Sequence, residues 1–335
     1  MADLWQDDRL YNFLRPYVDF CTRGSYHQLK VEGQLPKDGA VIIAPNHTNT
    51  LMDALVVLQT RKAPTAFGAR ADIFRNPSIA RILRFLRIVP MVRSRDGLHN
   101  VERNRETFRE VAALLQHHLP FCLFSEGRHR PMHSLLPIQK GIARIALESA
   151  AHGQTYIVPT GIDYSDFFHY RGTCRLVYGD PFDVNGFLAG HPELGEAEVY
   201  RRLRTELFDR IKGLIRYVPD DEHYEENWRK MEAAGKTDRN RLWLLAVLSA
   251  PLFILSAVLT FPMWGRAEYL CRYKITDRAF HNTARYGAKL IGTPLLLLVW
   301  TAIFYLTLPP LAATGLLVCF LFSYSFFYDW LNWIR

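Results

Sequence analysis

The stretch Ala40-Val41-Ile42-Ile43-Ala44-Pro45-Asn46-His47-Thr48-Asn49-Thr50-Leu51-Met52-Asp53 decides the fold. Its first five residues form a short apolar, partly β-branched run, the pattern of a strand buried on both faces. A polar loop follows at once, and the next apolar residues take up helical spacing over 51–60. Three similar runs stand further along, at Arg87–Val92, Pro120–Phe124 and Tyr156–Pro159, alternating with helical patterns around 101–117 and 138–151. Strand, helix, strand, helix predicts an α/β fold over 25–220, a mostly parallel sheet covered by helices.

Each run ends in a polar cluster. His47 and Asp53 are six positions apart, so they cannot share one face of a regular helix. They meet only if His47 lies on the loop after the strand and Asp53 on the first turn of the helix. A His oriented by a carboxylate is a general base suited to deprotonating a hydroxyl. Taken alone, a His near an Asp is more often structural. Arg93 stands at the end of the second run, where a planar guanidinium suits phosphate. Before it, Arg81, Arg84 and Arg87 recur every third residue, a basic helical stripe whose simplest reading is a solvated face. The third run leads into Ser125-Glu126-Gly127-Arg128-His129-Arg130, which sets charged groups at the sheet's rim, where ligands bind in α/β folds. His129 and His133 are four apart, but Pro131 lies between them and no acidic or Cys partner is near, so a metal site is rejected. Ser125 lacks the surroundings of a nucleophile elbow.

In this order, the four blocks Asn46-His47…Asp53, Val92-Arg93, Phe124-Ser125-Glu126-Gly127-Arg128-His129-Arg130 and Ile157-Val158-Pro159 resemble the glycerol-3-phosphate and lysophosphatidate acyltransferase family. The resemblance covers about 25–215. Five residues separate His47 from Asp53, as in the glycerol-3-phosphate/dihydroxyacetone-phosphate-type branch. Arg128 stands where the family has Thr, and His129-Arg130 where it has Arg-Ser. The resemblance implies acyl transfer from a thioester, acyl-CoA or acyl carrier protein, to the hydroxyl of glycerol-3-phosphate or a lysophospholipid. His47 would be the base and Asp53 its orienter. Asn46, Arg93, Glu126, Gly127, Arg128 and Arg130 would bind substrate, Glu126 by orienting an Arg or a glycerol hydroxyl. A direct transfer needs no acyl-enzyme, and no bound cofactor, metal or nucleic-acid partner is expected. Other readings share the chemistry or discard it: an amino-acid lyso-lipid acceptor, a transacylase between phospholipids, or a non-catalytic membrane tether.

Composition bounds these readings. With 335 residues, 49% hydrophobic and 22% charged, the chain is no disordered segment. Five scattered cysteines, without close spacing, suit a reducing compartment. The first residues, with Asp3, Asp7 and Asp8, lack the pattern of a secretory signal. A stretch over 1–24 places Leu10, Phe13, Leu14, Tyr17 and Val18 on one helical face, interfacial or, more commonly, core-packing.

The charge is unevenly placed. Residues 1–240 carry 33 basic and 30 acidic side chains, and 241–335 carry 8 and 3. After a polar connector over 221–241, Leu242–Trp264 runs 23 residues without a charge and Leu290–Tyr328 runs 39. As a helix the first would be about 34 Å long, enough for a hydrocarbon core of about 30 Å. Pro309-Pro310 divides the second into a hairpin of 290–308 and 311–328. A lipid bilayer is therefore an expected partner of 242–335. Basic residues flank 242–264 on both sides, which predicts a bent, re-entrant segment entering and leaving by the cytoplasmic face, with a single crossing as the rival. The catalytic domain is expected on that face, at the inner membrane in a bacterium.

Overall fold

The computed structural model describes residues 9–91, 100–233 and 239–335. The anticipated strand β2 (Ala40–Pro45) is present and buried along its whole length. Val41 and Ile43 join one hydrophobic cluster, while Ala40, Ile42 and Ala44 join another on the opposite side. Alternate side chains thus feed two cores, as the strand's two-residue period requires. Beside β2 lie β5 (Phe121–Cys122) and β6 (Thr155–Tyr164), both parallel to it. On the far side of β5 come β3 (Ala66–Arg70) and then β4 (Ile88–Met91). On the far side of β6 come β7 (Thr173–Tyr178), antiparallel to it, and β1 (Gln28–Glu32), while β8 (Phe182–Asp183) also pairs antiparallel with β6. The mixed sheet is therefore parallel where the site forms. The four anticipated strands are β2, β4, β5 and β6; β1, β3, β7 and β8 carry shorter or more polar patterns.

Helices cover both faces. On one side lie α1 (Arg9–Arg23) and α2 (Leu51–Gln59); α3 (Pro77–Phe85) precedes β4. The other side takes α4 (Asn100–Gln116), α5 (Lys140–Ala150) and, beyond the short α6 (Val184–Gly190), α7 (Glu196–Leu214). The polar connector is not featureless. It forms α8 (Tyr224–Ala233), whose Trp228 stacks on His133 at 3.7 Å. In α1, Tyr17 and Val18 pack against the core, but Leu10, Phe13 and Leu14 point outward, so the helix is only partly a core-packing one.

The apolar tail forms α9 (Arg239–Leu248), α10 (Ala250–Tyr273), α11 (His281–Thr307) and α12 (Pro310–Ile334). Among the described residues, three helices are long and apolar enough to cross a membrane: the last three, taking α11 with the 3-10 turn at Arg278. The chain turns between α11 and α12 at Leu308-Pro309. Near the start of α10, Phe253 stacks on Trp330 at 3.9 Å and meets Phe327 at 5.4 Å. Near its other end, Glu268 accepts a hydrogen bond from the Tyr328 hydroxyl at 2.9 Å. Both ends of α10 thus lie beside the final turns of α12, far from the hairpin's tip.

The tail does not form a separate body. Leu259, Met263, Tyr286, Phe320 and Tyr324 belong to the same cluster as Val41 and Ile43. The loop after β6 is their socket: Asn282 donates to the Phe167 carbonyl (2.9 Å), Arg285 to that of Phe168 (2.7 Å) and Asn332 to that of Tyr170 (2.8 Å). Arg171 pairs with Asp329 at 2.9 Å. On the opposite face α7 comes close to the sheet at Gly161 of β6, where a Cβ would stand 2.7 Å from the Leu214 Cβ. Gly161→Val should therefore push α7 off the sheet at a cost of about 1–3 kcal/mol. Thermal unfolding of the detergent-solubilised protein will read this as a lower midpoint, and an unchanged midpoint would contradict the packing.

Candidate active site

The site begins where β2 stops. Asn46 closes the strand by imitating backbone: its amide donates to the Ile162 carbonyl (2.9 Å) and accepts from the Ile162 N–H (2.7 Å). That pairing fixes Asn46 to β6, so the amide expected to meet substrate is engaged with the sheet. The chain then turns through His47–Thr50 into α2. Thr50 takes a φ of 48°, a left-handed backbone unusual for a β-branched residue. The turn brings Asp53, in the first turn of α2, back to His47, whose Nδ1 lies 2.8 Å from the Asp53 Oδ2.

Asp53 is fully buried. Its Oδ2 also accepts from the N–H groups of Thr48 (2.8 Å) and Asn49 (2.7 Å), and its Oδ1 from the Tyr164 hydroxyl (2.7 Å). Four donors compensate a carboxylate that burial would otherwise disfavour strongly. Burial, and then the nearby Asp53, push the Tyr164 hydroxyl well above its ordinary range, so it remains a donor. With Nδ1–H directed at Asp53, the His47 tautomer leaves Nε2 with a free lone pair. The ring is held flat against Phe124, centroids 4.2 Å apart, and stays partly exposed at 17%.

Glu126 buttresses the same loop. One carboxylate oxygen accepts from the His47 N–H at 2.8 Å and the other from the Leu136 N–H at 2.8 Å. The carboxylate thus ties backbone to backbone, where sequence reasoning had it orient an Arg or a hydroxyl. Gly127 follows with a φ of +72°, a turn that favours glycine. Arg128 projects into solvent and has no partner among the described residues. Arg130 donates through its backbone to the His47 carbonyl (2.9 Å), and its guanidinium is committed to Asp220 and Ser134. Arg93 lies outside the described residues.

Sequence reasoning missed three contributors. Tyr164 is far from Asp53 along the chain and carries no local motif. His129 belongs to the rim block but has no role assigned by its sequence; its ring stands edge-on to His47, centroids 5.8 Å apart. Asp277 comes from the loop between α10 and α11, and accepts from His129 Nε2 at 3.1 Å. Phe280 of the same loop packs edge-on against His129, and the Thr283 hydroxyl lies 2.8 Å from that of Thr50. The tail's loop therefore covers one side of the site.

The His–Asp pair thus sits at the end of a parallel strand, with the carboxylate buried and the ring partly exposed. Residues 28–163 match the family model described as Acyltransferase. Glycerol-3-phosphate O-acyltransferase 2 of Saccharomyces cerevisiae is 30% identical over 122 residues, 35% of this chain and 16% of that protein. The chain thus spans about a sixth of the length of this curated relative. The crystal structure of the 1-acyl-sn-glycerophosphate (LPA) acyltransferase PlsC from Thermotoga maritima aligns over 62% of this chain and 83% of that one, with 21% identity and a TM-score of 0.44. The segment that matches the acyltransferase model is followed by three helices apolar enough to span a bilayer.

Burial pushes the Glu126 carboxyl up to about 7 from an ordinary 4.5, against the pull of the Leu136 and His47 N–H groups. The folded protein therefore keeps a proton that the unfolded chain releases, and Glu126's contribution to stability falls as pH rises between about 4.5 and 7. Glu126→Gln removes that dependence. The stability of the native protein relative to the variant should decline across this window in unfolding titrations, whereas parallel profiles would contradict it.

Proposed function

We propose that the protein is a membrane-bound glycerolipid O-acyltransferase. It would move an acyl group from a thioester, carried by coenzyme A or acyl carrier protein, to the hydroxyl of glycerol-3-phosphate or lysophosphatidate. The observation that carries this reading is the His47 Nδ1 held by Asp53 in a ring that stays partly exposed. The acyltransferase domain match supports the reaction class, and the yeast relative's name supports the acceptor class.

In this mechanism the acceptor hydroxyl attacks the thioester carbonyl while His47 Nε2 takes its proton. A C–O bond forms and the tetrahedral centre collapses by breaking the C–S bond. The proton passes from His47 to the departing thiolate. Asp53 holds the tautomer and stabilises the imidazolium, and no acyl-enzyme intervenes. A positioned base of this kind contributes roughly 10²–10⁴-fold. Among the described arginines of the block, Arg128 is the unengaged one, and we assign it, with Arg93, to the acceptor's phosphate. The basic residues around 265–289 support a cytoplasmic orientation for the domain and for the α10–α11 loop, and the position of both ends of α10 beside one end of α12 supports a first segment that enters and leaves by one face.

The test is direct. Purified protein is given acyl-CoA and, in separate reactions, glycerol-3-phosphate or lysophosphatidate, and products are read by mass spectrometry. His47→Ala should lower turnover by about 10² or more while circular dichroism still reports the native fold, the unfolding midpoint falling because Asp53 loses one donor. A variant that keeps near-normal turnover sinks the mechanism. Arg128→Ala should raise the acceptor KM and leave the acyl-CoA KM almost unchanged. A loss confined to the thioester side would reassign this arginine to the donor.

A further inference from the structure

Helices α1 and α3 carry apolar side chains that neither the core nor the site uses. In α1, Leu10, Phe13 and Leu14 are exposed, Phe13 at 79%. In α3 no residue is buried, and Ile79 and Ile82 are exposed, as is Leu86 just beyond it. Ile79, Ile82, Leu83 and Leu86 fall on one face of the helix, with Arg81 and Arg84 turned away from it. The two helices meet: the Tyr11 and Phe85 rings lie 6.2 Å apart, and the Arg87 guanidinium sits 4.1 Å above the Tyr11 ring. The two exposed apolar faces therefore belong to adjacent helices. The surface around α3 is rich in arginine: Arg70, Arg75, Arg81 and Arg84 are exposed, against Asp72, which is paired with Arg70, and Glu110, which lies near Arg84.

Position identifies what covers this face. α1 runs antiparallel to α11, with Thr22 opposite Tyr286 and the Tyr17 hydroxyl donating to the Leu290 carbonyl at 2.7 Å. Leu290 begins the uncharged run of the hairpin. The exposed end of α1 therefore continues along α11 toward its apolar part, at the depth where a bilayer surface would lie. An apolar helix face backed by arginines, contiguous with a membrane-spanning helix, fits the boundary between acyl chains and anionic headgroups.

We propose that the outer face of α1 and α3 is a second membrane contact, which seats the catalytic domain on a leaflet containing anionic lipid. The proposal rests on the membrane reading above. Two separated contacts, the hairpin and this face, would fix the domain's tilt and hold the mouth of the site at the depth of its lipid substrates.

Single cysteines at Phe13, Ile79 and Ile82, each introduced into a Cys319→Ser background, are labelled with an environment-sensitive fluorophore and placed in nanodiscs containing phosphatidylglycerol. Label at Leu306, in the hairpin, and at Arg202, on α7 across the sheet, serve as controls. The three test positions should lose most of their emission to doxyl-labelled lipid and little to iodide, with Leu306 behaving alike and Arg202 the reverse. Lipid quenching at Ile82 should weaken in pure phosphatidylcholine, and equal quenching in both lipids overturns the anionic requirement. Iodide quenching at all three positions, with Leu306 still lipid-quenched, overturns the second contact alone. Shielding from both quenchers means that a second copy or another protein covers the face, and also overturns it. Iodide quenching at Leu306 would overturn the membrane reading itself.

Discussion

A carboxylate with no exposed surface is unstable unless donors surround it, and the arrangement of this active site follows from meeting that requirement at Asp53. Its donors come from three places: the turn after β2, the His47 ring and the Tyr164 hydroxyl on β6. No short segment of chain could supply them. The parallel pairing of β2 with β6 must be in register before Tyr164 arrives, and α2 must start at Leu51 for Asp53 to point back toward the strand. Removing a donor leaves a buried charge undercompensated as well as losing a contact, so the site is tied to the correctness of the fold.

The same logic explains Glu126. It is nearly as buried as Asp53, at 4% exposure, but its oxygens meet only backbone N–H groups in the hydrogen bonds it makes. Two backbone donors offset burial less fully than four mixed ones, and its carboxyl is pushed up toward neutrality. Two carboxylates beside one histidine thus have different work. Asp53 fixes the ring's tautomer, and Glu126 fixes the loop on which the ring is mounted. Environment separates these roles; residue type alone does not.

How much of this was legible in the sequence depends on whether the determining contact is local. The Ala40–Ala44 run fixes its strand by its own two-sided burial, and the His47…Asp53 spacing permits one geometry that joins them. The long uncharged segments are equally direct, because charge-free runs of that length divided at Pro309-Pro310 read as long apolar helices. Strand β1, by contrast, is an edge strand of five residues, four of them exposed, so no hydrophobic period announces it. Asn46 reads as a ligand when isolated, and only the register with Ile162 shows its amide replacing a backbone pair. Tyr164 and Asp277 reach the site from distant parts of the chain, and a single sequence carries no signal for such convergence.

The region where α10 leads into α11 bears on what the α/β segment can hold in place by itself. Thr50 holds a left-handed backbone that a β-branched residue adopts only at a cost, of order 1–3 kcal/mol. Its hydroxyl lies 2.8 Å from that of Thr283 and donates to the Ala279 carbonyl at 3.3 Å, both groups belonging to the apolar tail. The strained residue sits between His47 and Asp53, so relaxing it would alter the span that must bring them together. His129, edge-on to His47, is likewise held by Asp277 and Phe280 from that tail. The tail therefore overdetermines the one turn whose geometry the His–Asp pair requires. Cut away from it, the α/β segment would keep the residues of the site but lose the contacts that hold Thr50 in place.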